Sequence, residues 1–245
     1  MVIATAIQKG GTGKTTTAAA LAQAAAHKGK NVLAVDLDPQ GNLTYTLAAA
    51  GTDEANSYRL LTGRRVEKCI TGSGQGMDVI PASWNLQTVR TGKGTARRLR
   101  DALESVRGLY DLIIIDTPPT AGELQYNALM AADGLIIPLQ ADIFNQQALY
   151  QITDTAGQIR QSNPTFQIMG AVFTNYDGRS NLSRQMLQLI TGKCEAAGVP
   201  ILGTIRAGVA VKEAAALQVS LFVYALKSKP AQDYLAVYDR IMKNN

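Results

Sequence analysis

Short apolar, β-rich runs recur along this chain, and helical patterns fill most of the intervals between them. The runs fall at residues 2–8, 31–36, 77–81, 112–116, 135–139, 168–174 and 200–205. Several are continuously apolar rather than alternating, as in Leu112-Ile113-Ile114-Ile115, which suits strands covered on both faces. Helices are predicted at residues 14–28, 95–107, 123–132, 145–161 and 181–197. A last one follows Pro230, because proline is pre-shaped for a helix start. Strand–helix alternation with right-handed crossovers implies an α/β fold, a doubly wound, mostly parallel sheet flanked by helices. Ligands of such sheets bind at the carboxyl ends of the strands.

A chain of 245 residues, 46% of them hydrophobic, buries a sizeable core without help from metals or disulfides. No repeat, low-complexity tract or dividing linker interrupts it, so a single domain over residues 1–245 is expected, with residues 71–76 as a surface loop. Cys69 and Cys194 are far apart and in no metal-like spacing, which fits a reducing cytoplasm and argues against a zinc or iron–sulfur centre. No apolar stretch is long enough to span a membrane, and the N-terminus lacks the basic start of a secretory signal. A cytoplasmic protein is expected.

The net charge is +5. From Tyr176 to Asn245 there are nine Lys or Arg against five Asp or Glu, while the preceding residues carry fifteen against fourteen. A positive field in the C-terminal part is compatible with a polyanion such as DNA, although a solvated surface with ordinary scatter has the same signature.

The first run leads into Gln8-Lys9-Gly10-Gly11-Thr12-Gly13-Lys14-Thr15-Thr16 and then a helical pattern. The ordinary phosphate-loop motif has glycine where this chain has Gln8. Its second half, Gly13-Lys14-Thr15, is intact. Gly10, Gly11 and Gly13 allow backbone N–H groups, with those of Thr12 and Thr16, to crowd around phosphates, and the helix N-terminus adds its positive end. Lys14 is placed to reach the β- and γ-phosphates and the Thr15 hydroxyl to ligate Mg²⁺. The second run ends in Asp36-Leu37-Asp38-Pro39-Gln40, two carboxylates close to where the loop lies. The run ending in Ile115 delivers Asp116, the placement that holds a Mg²⁺-bound water. His27 is expected to be structural.

Lys9 and Gly11 complete K-G-G-x-G-K-T, and here the sequence resembles the ParA/MinD group of P-loop ATPases with a deviant Walker A motif, in particular ParA/Soj-type partitioning ATPases. Val79-Ile80-Pro81-Ala82, Asn127-Ala128-Leu129 and Thr174-Asn175-Tyr176-Asp177-Gly178-Arg179 add to the likeness. The resemblance implies ATP and Mg²⁺ as cofactors and a homodimer with ATP sandwiched between the chains, Lys9 crossing into its partner's site. It gives Asp38 the role of positioning the attacking water near the metal, Asp36 that of supporting the loop and Mg²⁺ shell, and Asn175 a contact to the base. It further implies slow ATP hydrolysis, a ParB-like partner that stimulates it, and non-specific double-stranded DNA as the surface, with nucleoid association when ATP is bound. Arg179, Arg206, Lys227 and Lys229 are the DNA-contact candidates, with Lys212 and Lys243 as further cations. Where that family usually carries Pro-Arg-Asn-Val-Arg, this chain reads Arg206-Ala207-Gly208-Val209-Ala210, which loses two basic positions. Two other readings are a MinD-like membrane-associated ATPase, which needs a free amphipathic C-terminal helix, and a nucleotide-binding scaffold with little turnover. The tail after Pro230 has its apolar residues on one stripe and few basic ones, which fits a packed core helix, so membrane binding is not expected.

Overall fold

The computed structural model describes residues 1–89, 96–142 and 145–243. Eight strands form one sheet: β1 (Val2–Thr5), β2 (Val32–Asp36), β3 (Thr71–Gly72), β4 (Asp78–Ile80), β5 (Leu112–Asp116), β6 (Gly134–Leu139), β7 (Gln167–Tyr176) and β8 (Ile201–Arg206). Their spatial order is β3-β4-β2-β5-β1-β6-β7-β8. Every pairing is parallel except that of β3 with β4. The first strand therefore lies inside the sheet, between β5 and β6, and the segment that leaves it emerges beside the ends of both neighbours.

The apolar runs are double-sided for a visible reason. In β5, Ile113 and Ile115 join one hydrophobic cluster while Leu112 and Ile114 join the other. In β2, Leu33 and Val35 part from Val32 and Ala34 in the same way. Successive side chains point to opposite faces, so a strand buried on both must be apolar throughout.

One face is covered by α1 (Lys14–His27) and α10 (Lys229–Lys243). Helix α1 is an alanine helix in which Ala18–Ala22, Ala24 and Ala25 are all buried; small side chains let its backbone approach the strands closely. The single histidine, at the end of α1, stacks on Phe222 with ring centroids 5.7 Å apart, the structural role expected of it. The other face carries α3 (Ser57–Leu61), α4 (Arg98–Glu104), α5 (Glu123–Ala131), α6 (Asn145–Ser162) and α7 (Asn181–Ala196). Short α2 (Asn42–Thr46), α8 (Ala210–Ala216) and α9 (Leu221–Tyr224) complete the set.

Three expectations need correction. Residues 71–76 are not all loop, because Thr71 and Gly72 pair antiparallel with Val79 and Asp78 at the sheet edge. The first run stops as a strand at Thr5, and buried Ala6 and Ile7 already belong to the turn into the glycine-rich loop. The helix expected over residues 95–107 is shorter: its start falls outside the described residues, α4 begins at Arg98, and it ends at Glu104 before a 3₁₀ turn at Arg107–Leu109, where Gly108 disfavours a continuing helix.

Candidate functional site

The loop after β1 turns into α1 at Gly13, whose φ of 89° is left-handed. A Cβ there would crowd the Thr174 side chain at 3.3 Å, and the left-handed backbone favours glycine. The Thr174 hydroxyl donates to the carbonyl of Thr12 at 2.7 Å, and the Gln140 amide donates to that of Gly11 at 2.6 Å. The loop is thus held from outside by the ends of β6 and β7.

Lys14 follows at the helix start and is buried at 6% exposure, its ammonium donating to the Lys9 carbonyl at 2.7 Å. Burial lowers its pKa, and Asp116 and then Asp38 pull it back up. Lys9 points elsewhere, its Nζ lying 2.6 Å from Asp142 Oδ2.

Asp36 and Asp116 sit side by side in register on β2 and β5, both fully buried. Burial pushes both carboxyls above the usual range, and each is raised further by its acidic neighbours. They spend their oxygens differently. Asp36 accepts from the Thr44 amide at 2.8 Å, the Thr44 hydroxyl at 2.7 Å and the Asp38 amide at 3.1 Å, which orders the segment from Asp38 into α2. The Thr5 hydroxyl lies 3.3 Å from both Asp116 Oδ1 and the Ile115 carbonyl and has one proton for the two, while Asp116 Oδ2 is buried with no hydrogen-bond partner among the described residues. Thr15 and Lys14 act against the rise in its pKa. Asp38 accepts from the Gln40 amide at 3.0 Å and closes a turn in which the Gly41 amide donates to its carbonyl at 2.9 Å.

A buried carboxylate oxygen left unpaired costs about 1–3 kcal/mol or more, and asks for a water or an ion. Hard oxygen donors from Thr15, Asp38 and Asp116, with a lysine alongside, fit a Mg²⁺ that keeps several waters and shares phosphate ligands. On the other side of the loop, Gly11, Gly13, Thr16, Asn175, Arg206 and Lys212 line a cavity of about 310 Å³. Asn175 is left-handed there, with φ of 53°. Apart from Asn175, the candidate nucleotide and metal residues stand on the loop or at the strand ends facing it.

The DNA candidates do not gather in the same way. Arg179 is 92% exposed and pairs with Asp177 at 3.0 Å. Arg206 lines the cavity and is forked onto Asp233, Nη2 to Oδ1 at 2.6 Å and Nε to Oδ2 at 2.8 Å. Lys227 and Lys229 are exposed at the entry to α10. Gln140 and Asp142 were not singled out from the sequence, and Thr174 and Asp233 were given no role of their own. Gln140 and Asp142 follow the end of β6 just as Asp38 follows that of β2, and that position was the signal available.

The family model for an AAA domain matches residues 1–168. The chromosome partitioning protein ParA of Caulobacter vibrioides is 39% identical over 244 residues, covering 96% of this chain and 91% of that protein. The chromosome-partitioning ATPase Soj of Thermus thermophilus is 40% identical over 187 residues, 75% of this chain and 73% of that one. Among solved structures, cobyrinic acid a,c-diamide synthase from Mycobacterium smegmatis with bound ADP and magnesium superimposes with a TM-score of 0.84 at 31% identity, covering 99% and 94% of the two chains. On these matches the chain belongs to the ParA/Soj family of P-loop partitioning ATPases.

Proposed function

We propose that this chain, acting as one unit over residues 1–245, is an ATP-driven dimeric switch. It binds non-specific double-stranded DNA as the ATP dimer, and with a ParB-like partner hydrolyses ATP to segregate or position plasmid or chromosomal DNA. The observation that carries this reading is the meeting of Lys14, Asp38 and the orphaned Oδ2 of Asp116 around the loop after β1. Phosphoryl transfer asks a protein mainly to position groups and neutralise charge. Lys14 would hold the β- and γ-phosphates, Thr15 and Asp116 would hold Mg²⁺ directly or through water, and Asp38 would orient the attacking water. When bound, Mg²⁺ supplies charge neutralisation on the phosphate oxygens. Lys9 would leave Asp142 and reach the partner's nucleotide, and Asn175 would face the base.

The MinD-like alternative needs a free amphipathic C-terminal helix. Helix α10 buries Ala231, Tyr234, Val237, Tyr238 and Ile241 against the sheet, and among the described residues no helix is long and apolar enough to cross a membrane.

Co-sedimentation with non-specific DNA, compared without nucleotide and with ADP, ATP and a slowly hydrolysed ATP analogue, tests the reading. Binding should need ATP, weaken with salt, disappear in Lys14→Gln and persist or lengthen in Asp38→Ala. ATP-dependent dimerisation without DNA binding in any state would sink the DNA reading and leave a switch for another surface. Absence of both would favour the scaffold.

A further inference from the structure

Gln8 stands where the ordinary phosphate loop has glycine, and its side chain leaves the loop for two helices. Its Nε2 donates to Gln125 Oε1 in α5 and to Thr155 Oγ1 in α6, each at 3.3 Å. The orientation of both amides follows from the threonine. The single hydroxyl proton of Thr155 is committed to the Gln151 carbonyl at 2.9 Å, so its oxygen can only accept, and Gln8 must present its NH₂. With both protons of that NH₂ in use, Gln125 must present its oxygen. The Nε2 of Gln125 is then left buried with no hydrogen-bond partner among the described residues, in a side chain only 2% exposed.

A buried amide donor without an acceptor is unfavourable. The bond to Gln8 accounts for the oxygen of Gln125 and leaves its donor without a use. Its position does suggest a role. Helix α5 opens seven residues after Asp116, the last residue of β5, and Gln125 lines a cavity of about 390 Å³ with Pro39, which follows Asp38, and with Pro118 and Thr120, which follow Asp116. One hydrogen bond thus joins the start of the phosphate loop to the helix that carries the segment beyond Asp116.

We infer that Gln8 and Gln125 form a positioning bridge, anchored on Thr155, that couples occupancy of the phosphate loop to the placement of residues 117–122 during ATP hydrolysis. The bridge rests on the ATPase reading above. Gln8 and Gln125 are positioning residues that act through the loop and through the segment after Asp116. The spare Nε2 is the donor that a rearranged segment could satisfy, which gives the helix a second arrangement to occupy.

The test uses the full chain with Gln8→Met, Gln125→Met and the double variant, which keep side-chain length and remove the amides. Steady-state ATP turnover with Mg²⁺, equilibrium ADP binding and thermal melting are read on each, with Lys14→Gln as the inactive control. Each single variant should lower kcat about five- to tenfold while KM and ADP affinity stay within about twofold. Gln125→Met strands the Gln8 amide while the double variant removes both partners, so the double variant should melt at or above Gln125→Met, and it should be no slower than the worse single one. Unchanged kcat overturns the bridge, as does loss of ADP affinity in step with kcat, or independent losses that multiply in the double variant. A fall in kcat that tracks a fall in melting temperature also overturns it, since that is ordinary packing. Should wild type itself show no turnover above Lys14→Gln, the ATPase reading fails and the bridge falls with it. That result is separable from active wild type with indifferent variants.

Discussion

The ammonium of Lys9 lies 2.6 Å from a carboxylate oxygen of Asp142 on its own chain. In the proposed dimer the same ammonium must reach the partner's nucleotide, so the intrachain pair competes with assembly. Partly exposed ion pairs are worth about 0.2–1 kcal/mol. Two such pairs open per dimer, so Asp142→Asn should shift ATP-dependent dimerisation to lower protein concentration by about two- to thirtyfold, as read by analytical ultracentrifugation. Lys9→Ala should leave ADP binding intact and lower turnover by about a hundredfold, the scale for losing one charge-stabilising donor. Dimerisation indifferent to Asp142 would show that the pair is not in competition with the interface.

Asp116 supplies a test by pH. Burial beside Asp36 holds its carboxyl above the ordinary value of 3.8, so the folded chain binds a proton that the unfolded chain has released. Stability from this group is complete below the unfolded pKa and is lost as pH rises through the raised folded value. In EDTA, wild type should therefore lose melting temperature relative to Asp116→Asn between about pH 5 and pH 8, since the asparagine never ionises. Mg²⁺ with ADP favours the ionised carboxylate and should reverse the order. A pH-independent difference between the two proteins would refute the assigned burial cost.

The sheet was legible because β2 and β5 are apolar at every position before their closing aspartates, and nothing but coverage on both faces demands that of a strand. The loop was legible because glycine, lysine and threonine at fixed spacing have one common use. Helices α2, α3, α8 and α9, of four to seven residues, were not, since fewer than two turns cannot display a 3.6-residue period. Long-range polar pairing was equally hidden. Arg206 reads as a free surface cation in sequence, yet its partner Asp233 stands 27 residues away on α10, and only the packing of α10 against β8 brings the two together. Gln8 likewise read as a simple departure from a motif, and its partners on α5 and α6 come from the fold.

A pair of glycines separates local strain from helix propensity. Gly170 has φ of 148°, and a Cβ there would stand 2.4 Å from the Pro200 carbonyl oxygen and 2.8 Å from the Leu202 side chain. It lies where the β6–β7 register shifts. Gly170→Ala should cost about 2–4 kcal/mol in urea denaturation while the folded fraction binds ADP normally. Gly157, inside α6, has nothing within 4 Å of its added Cβ, and Gly157→Ala should stabilise by about 0.5–1 kcal/mol. Equal effects of the two substitutions would rule out the strain at Gly170.

The forked Arg206–Asp233 pair leads to a division among the DNA candidates. An arginine whose Nε and Nη2 are already engaged by a carboxylate, at the rim of the cavity that holds Asn175, has little of its fork left for a phosphate backbone. Lys227 and Lys229 are exposed and appear in no salt bridge of the described residues. A lysine that contacts DNA phosphate adds about 0.9 to the slope of log K against log salt. Lys227→Ala and Lys229→Ala should therefore each lower the slope by about one and leave ADP affinity unchanged. Arg206→Ala should leave the slope near wild type and alter ADP affinity and melting temperature instead. If Arg206→Ala lowers the slope as the lysine variants do, the ion pair opens on DNA and Arg206 belongs to the DNA surface after all.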